Sequence, residues 1–262
     1  MSQYSFLLDN MVWSFSRLNS FCICKYEWYL QYIEGFVGEN NFYAEFGTYC
    51  HRILEKYEKG ELGLFELADY FEEHFDENIS TEVYNKYSST IEKYKKLGKE
   101  YFENIDLDLV SYEILGIEKK CDFEIEGYKF TGFIDLLLKD KKNGNIILID
   151  HKSSEYPIGK RGNILKSERE KFEQYKKQLY LYSLQVQKEY GVLPNKIGWN
   201  FFKNKQWLIL DFNKKELDEA IKWALGTIGE INQTEFFPPK PDYYYCHNLC
   251  RFRNSYCEYK NY

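Results

Sequence analysis

The sequence predicts a mixed α/β fold in which helices flank a central β-sheet. Three observations carry this. Residues 130–139 and 145–152 are two near-continuous apolar runs, the pattern of strands buried on both faces. Residues 168–190 place Phe172, Tyr175, Leu179, Tyr182 and Val186 at helical spacing. Helical patterns precede Val110, and strand patterns begin there. With 262 residues, 44% of them hydrophobic, the chain has ample material for a core.

Taken in order, residues 14–32 read as a first helix with Ser16 as its N-cap, carrying Phe21, Cys24, Trp28 and Tyr29 as a stripe. In that stripe Cys24 has the reading of a small core residue. The stretch 46–51 opens a second helix, with Phe46, Cys50, Ile53, Leu54 and Tyr57 as its apolar face. His51 falls off that face, so it lies either at the surface or in a site. Residues 60–106 carry further helical pattern, rich in charge and Tyr, and read as a helical insertion or cap over the sheet. Residues 112–119 form a strand with Glu118 near its end. Residues 121–125 and 128–138 form a hairpin about Glu126-Gly127. The two apolar runs meet at Asn143-Gly144, two residues that tolerate positive φ and mark a second hairpin. A polar loop at 152–167, the helix at 168–190, two strands within 198–212 and a helix at 214–231 follow. The tail from 236 holds Pro238, Pro239 and Pro241 and ends in a cysteine cluster.

The net charge of −6 argues against broad coating of duplex DNA and confines any nucleic-acid groove to a local patch. No run of 18 apolar residues exists, and the N-terminus lacks a basic-then-apolar leader, so no membrane contact and a cytoplasmic location are expected. Structural disulfides are rare in that compartment. Seven cysteines therefore need another explanation.

Two groups of residues carry chemistry. Asp135 interrupts the first apolar run, and a buried carboxylate needs a partner, a hydrogen-bond network or a metal. Side chains alternate along a strand, so Asp150 and Lys152 share a face of the second run, next to Asp135. Hard oxygen ligands on a rigid frame suit Mg²⁺ or Mn²⁺, and a lysine beside them can hold or deprotonate a water. The same residues also fit a buried Asp–Lys ion pair at a strand end. The second group is Cys246, Cys250 and Cys257, a C-x₃-C-x₆-C arrangement too polar in its surroundings for core cysteines. Zinc would need a fourth ligand such as His247. A [4Fe–4S] cluster takes four thiolates, and Cys24 is available as the fourth.

In this order the motifs resemble the PD-(D/E)XK nucleases of the RecB type, specifically their iron–sulfur branch, which includes the AddB nuclease domain and the CRISPR-associated RecB-like exonucleases. The resemblance spans nearly the whole chain. Ser14-x-Ser16-Arg17-Leu18 with Cys24 is similar to the family's first helix and cluster cysteine. The segment 47–51 is similar to its histidine segment, and Glu118 matches an acidic position ahead of the core hairpin. Gly132-Phe133-Ile134-Asp135 is similar to G-x-x-D, Asp150-His151-Lys152 to D/E-x-K, and Gln178-x-x-x-Tyr182 to Q-x-x-x-Y. The final cysteine triplet matches with each gap one residue longer than the family's common C-x₂-C-x₅-C.

The resemblance implies a restriction-endonuclease-like core within one domain over residues 1–262. The insertion would lie at about 60–106, and the tail at about 238–262 would pack with the first helix. It implies Asp135, Asp150, Lys152 and Glu118 as catalytic residues. Mg²⁺ or Mn²⁺ would be held by His51, Asp135, Asp150 and the backbone carbonyl of His151, with Gln178 and Tyr182 on the substrate. It implies a structural [4Fe–4S] cluster on Cys24, Cys246, Cys250 and Cys257, with Zn²⁺ as the rival. The implied activity is DNA exonuclease action on ends or single strands in repair, recombination or replication, alongside a helicase or recombination partner. The competing readings are a catalytically idle DNA-binding subunit of the same fold and a zinc-stapled module.

Overall fold

The computed structural model describes residues 3–260, with the backbone alone for residues 81–87. In chain order the elements are α1 (Ser5–Leu8), α2 (Phe15–Ile23), α3 (Lys25–Tyr32), α4 (Phe42–Glu58), α5 (Leu67–Asn78), α6 (Thr81–Glu103), β1 (Tyr112–Ile125), β2 (Tyr128–Asp140), β3 (Ile146–Lys152), α7 (Arg169–Tyr190), β4 (Lys196–Phe201), β5 (Gln206–Asp211), α8 (Lys214–Gln233) and α9 (Tyr243–Asn248).

The strands form one five-stranded sheet in the order β1-β2-β3-β4-β5. Strands β2 and β3 run antiparallel, β3 and β4 parallel, and β4 and β5 antiparallel. This is the mixed sheet flanked by helices that the sequence predicts. The central strand β3 is buried from Ile146 to His151, as its unbroken apolar run requires. Its partner β2 is buried at Leu136, Leu137 and Leu138, but Phe133 emerges with 52% of its surface exposed.

The chain forms two compact units, one of residues 42–120 and 133–213, the other of residues 1–41, 121–132 and 214–262. In the first, Phe46, Cys50, Ile53 and Leu54 of α4 pack with Leu67, Phe71 and Phe75 of α5 and with Ile91 and Phe102 of α6. Gly98 on α6 has no room for a side chain, because a Cβ there would enter the Phe71 ring. Leu136, Leu138, Ile147 and Ile149 form a second core on one face of the sheet. In the other unit, Trp13 bridges to Phe130. It donates to the Lys129 carbonyl and accepts from the Thr131 N–H, both at 2.8 Å. Phe237 from the tail stacks on Trp28 at 5.5 Å between ring centres.

Four details differ from the sequence reading. Ser14, not Ser16, caps α2: it is extended at φ −147° and accepts from the Arg17 N–H. The first helix breaks at Cys24, extended at φ −151° and ψ 110°, which ends α2 and begins α3. Residues 112–125 make one strand, not two, with Glu118 at φ 44° within it. The β1–β2 turn has both Glu126 and Gly127 at positive φ, whereas only Gly144 does so in the longer β2–β3 connection.

Candidate active site and cysteine cavity

Strand β3 organises the candidate active site. Alternation puts Leu148, Asp150 and Lys152 on one face and Ile147, Ile149 and His151 on the other. The β2–β3 register pairs Leu136 with Ile149, so the next pair in sequence is Asp135 with Asp150. The Asp135 carboxylate accepts the backbone N–H of His151 at 2.7 Å. Asp150 is buried, and its Oδ2 lies 2.6 Å from Lys152 Nζ. Helix α7 covers this face through Phe172, packed edge-on at 5.0 Å against Trp199 of β4. It also presents two groups to the lysine. Lys152 donates to Gln178 Oε1 at 3.0 Å, and its ammonium lies 4.7 Å from the centre of the Tyr175 ring. Tyr182, one turn further along α7, is 4% exposed and belongs to the core.

Helix α4 brings His51 to the same place. Its Nδ1 is 3.5 Å from Asp135 Oδ2 and 3.9 Å from Glu118 Oε1. One donor atom from each of His51, Glu118 and Asp135 lies within 4.8 Å of the other two. An imidazole nitrogen with two carboxylate oxygens is a donor set that fits Mn²⁺ or Mg²⁺. Glu118 joins the set from a left-handed backbone conformation, which a non-glycine residue adopts only at a cost. In β1 the regular burial alternation holds only from Lys120 onward. Of the four expected ligands the group contains His51 and Asp135, and its third member is Glu118. Glu118 stands beside His51 and Asp135, while Asp150 is held by Lys152.

The electrostatics follow from this packing. Burial pulls the His51 imidazole down, but Glu118, Asp135 and Asp150 outweigh it and its pKa is raised. Burial raises the Asp150 carboxyl, opposed by the Lys152 ammonium. Burial alone would lower Lys152; Asp150, Tyr175 and Asp135 together outweigh it, so its pKa is raised and the charged form is favoured.

Behind this group lies a buried network that the sequence reading missed. The His151 side chain points away from Lys152, and its Nε2 meets Glu58 Oε1 at 2.8 Å. Asn200 of β4, paired with His151 in the parallel register, donates to His151 Nδ1 at 3.1 Å and to the Tyr101 hydroxyl at 2.6 Å. Burial, then the Glu118 charge, raises Glu58 to about 9. Burial lowers His151 to about 4. Burial thus favours the neutral form of both, and they share a hydrogen bond. The available signal was spacing: Glu58 follows His51 by seven residues, two helical turns on one face.

The cysteines gather separately. Cys24, Cys246, Cys250 and Cys257 line one cavity with Glu27, Tyr245 and Phe252, and Cys22 is not among its lining residues. The break at Cys24 takes its side chain out of the helical stripe. Asp242 caps α9 by accepting the Tyr245 N–H, which sets the helix carrying Cys246. Burial, with Glu27 nearby, pushes the Cys250 thiol up to about 12, opposed by the N–H groups of Phe252 and Arg253. Burial also raises Cys257, again opposed by an N–H, that of Tyr259. Four thiols line one cavity, two of them facing backbone donors, but no three of their sulfurs lie within 4.8 Å of one another, so the cavity is wider than a single tetrahedral metal needs. Tyr245 donates to buried Glu27 at 2.7 Å on the cavity wall.

Among the described residues no helix is long and apolar enough to cross a membrane. No curated protein matches the chain. The family model of the PD-(D/E)XK nuclease superfamily matches residues 12–262. Members of that superfamily generally hydrolyse phosphodiester bonds with divalent ions such as Mg²⁺ or Mn²⁺. By a match over nearly its whole length, the chain belongs to the PD-(D/E)XK nuclease superfamily.

Proposed function

We propose that this protein is a Mg²⁺- or Mn²⁺-dependent DNA exonuclease of the RecB/AddB-like iron–sulfur branch, a single nuclease domain acting on DNA ends or single strands. The observation that carries the reading is the convergence of His51, Glu118 and Asp135 beside the Asp150–Lys152 pair. His51, Asp135 and Asp150, with the His151 carbonyl, would hold the metal, and Glu118 would complete or support that set. The ion supplies Lewis-acid stabilisation of the phosphate and lowers the pKa of its water. Lys152, held charged by Asp150 and aimed by Gln178 and Tyr175, orients the attacking water and stabilises charge developing on the phosphate. Gln178 also faces the substrate path in this reading, and Tyr182 supports its edge. A [4Fe–4S] cluster on Cys24, Cys246, Cys250 and Cys257 would be structural, because hydrolysis moves no electrons. A helicase or recombination protein would supply the DNA ends.

The test is cleavage of end-labelled linear single- and double-stranded DNA against closed circles, with Mg²⁺, Mn²⁺ or EDTA. Release of mononucleotides or short products from linear DNA alone is expected. Equal cutting of closed circles would make the enzyme an endonuclease. No cutting by folded, metal-supplied protein would favour the idle DNA-binding reading.

A further inference from the structure

Glu58 is a charged residue type placed in the core, and the proposed chemistry does not use it. It is 5% exposed, and its hydrogen-bond partner His151 is 2% exposed. With Asn200 and Tyr101 these residues form a continuous buried chain that joins α4, β3, β4 and α6. The same two elements, α4 and β3, flank the metal group. His51 lies two turns before Glu58 on α4, about 10 Å along the axis. The backbone N–H of His151 donates to Asp135. The rings of His51 and His151 meet edge to face at 5.8 Å, so the buried chain lies directly behind His51.

We propose that Glu58, acting through His151, is a positioning residue for the metal group. It clamps α4 to β3 and so fixes His51 against Asp135. The inference rests on the reading that His51, Glu118 and Asp135 take part in holding the divalent ion. Its logic is geometric. His51 comes from a helix and Asp135 from a strand, and the apolar face of α4 packs on α5 and α6, a packing that sets distance more than register. A hydrogen-bonded pair of fixed direction sets both. Glu58 Oε1 and His151 Nε2 share one hydrogen bond at 2.8 Å, and a glutamine side chain, with both an acceptor and a donor, can keep it. A leucine cannot.

The experiment is Mn²⁺ titration of DNA-free protein, followed by the electron paramagnetic resonance signal of free Mn²⁺, with melting curves in EDTA alongside. Glu58→Leu is expected to raise the Kd for Mn²⁺ by about 10-fold or more, the loss seen when a group that orients metal ligands is removed. Glu58→Gln should stay within about threefold of the parent. If Glu58→Leu melts earlier yet binds Mn²⁺ as the parent does, Glu58 is only structural and the proposal is overturned. If Glu58→Leu does not fold, Tyr101→Phe decides: it keeps the ring and removes the far acceptor of the chain. A raised Kd in Tyr101→Phe supports the clamp, and an unchanged Kd overturns it. Failure of the parent protein itself to bind Mn²⁺ would instead remove the metal reading on which the clamp rests.

Discussion

The carboxylate centre and the cysteine cavity solve the problem of buried ligands in opposite ways. Asp135, Asp150 and Lys152 sit on strands of a regular sheet, and each already has a protein partner: a backbone N–H, an ammonium or a carboxylate. Such a site exists before any ion arrives, and the ion adds chemistry more than structure. The cysteines sit on a helix break and a short tail, and burial holds the Cys250 and Cys257 thiols above their ordinary pKa. A metal bound there would tie the tail to the helix break. The centre built on strands should lose function without losing fold, and the cavity built on a tail should lose fold first.

The largest expected effect tests the first half of this contrast. Asp150→Ala or Lys152→Ala should lower DNA cleavage by at least about 10³-fold, since in the proposed mechanism Asp150 would hold the metal and Lys152 the charge on the phosphate. Far-ultraviolet circular dichroism should be unchanged. Turnover near the parent's in a folded Asp150→Ala protein would remove the active-site assignment. EDTA should abolish cleavage while leaving the visible absorbance of the protein intact.

The second half is tested at Cys250. Anaerobically purified protein should be brown and contain iron and sulfide. Cys250→Ser should lose both and melt about 10 °C lower, as a loss of roughly 3–4 kcal/mol would produce in a protein of this size. Cys22→Ser should change neither. A colourless parent with stoichiometric zinc would decide for the rival metal, and loss of metal in Cys22→Ser would mean that Cys24 is the wrong ligand.

A smaller effect concerns Glu58. Its folded pKa of about 9 stands above that of an unfolded glutamate, so folding takes up a proton between those values. The stability this group contributes is complete below the unfolded pKa and is lost as pH rises through about 9. His151, lowered to about 4, acts the other way, but only below its unfolded pKa of about 6.5. Between pH 7 and 9 Glu58 is therefore the member of the pair that titrates. The neighbouring charges that set its pKa are Glu118, His51 and Glu55. Urea unfolding of the parent should lose up to about 1.4 kcal/mol per pH unit over that window relative to Glu58→Gln. Parallel curves for the two proteins would show that Glu58 is ionised when folded.

Much of this was legible in the sequence, and the gaps have physical causes. The β2–β3 hairpin and α7 were readable because long apolar runs and helical spacing are strong local signals, and Asn143-Gly144 marked the turn. Ser14 and Ser16 have equal intrinsic fitness as caps; only the backbone at Ser14, extended by the bridge of Trp13 to Phe130, decides between them. Nothing local predicts the helix break at Cys24, because its neighbours all tolerate helix. Glu58 follows the apolar stripe of α4, and nothing local marks it as buried, since its partner His151 is 93 residues away in sequence. Glu118 was named from the resemblance alone, and its left-handed backbone was not legible, because glutamate has no preference for that conformation.

The finest division lies within α7, where Gln178 and Tyr182 are one turn apart and the resemblance implied substrate roles for both. Gln178 is half-buried and donates nothing to the core; its carbonyl receives Lys152. Lys152 keeps two other partners, Asp150 at 2.6 Å and the Tyr175 ring at 4.7 Å, so losing the amide loosens the ammonium without freeing it. A hydrogen bond to a charged group is worth about 1.5–3 kcal/mol, and the lower end applies where other partners remain. Gln178→Ala should therefore reduce kcat about 10-fold and lower the melting temperature by no more than about 5 °C, since alanine also favours helix. Tyr182 is buried against the core, so Tyr182→Ala should do the reverse, costing a few kcal/mol of stability through the cavity it opens. Measuring both variants by kcat and by melting separates the roles. A Gln178→Ala protein that melts early but cleaves normally would show that α7 aims nothing at Lys152 and only packs.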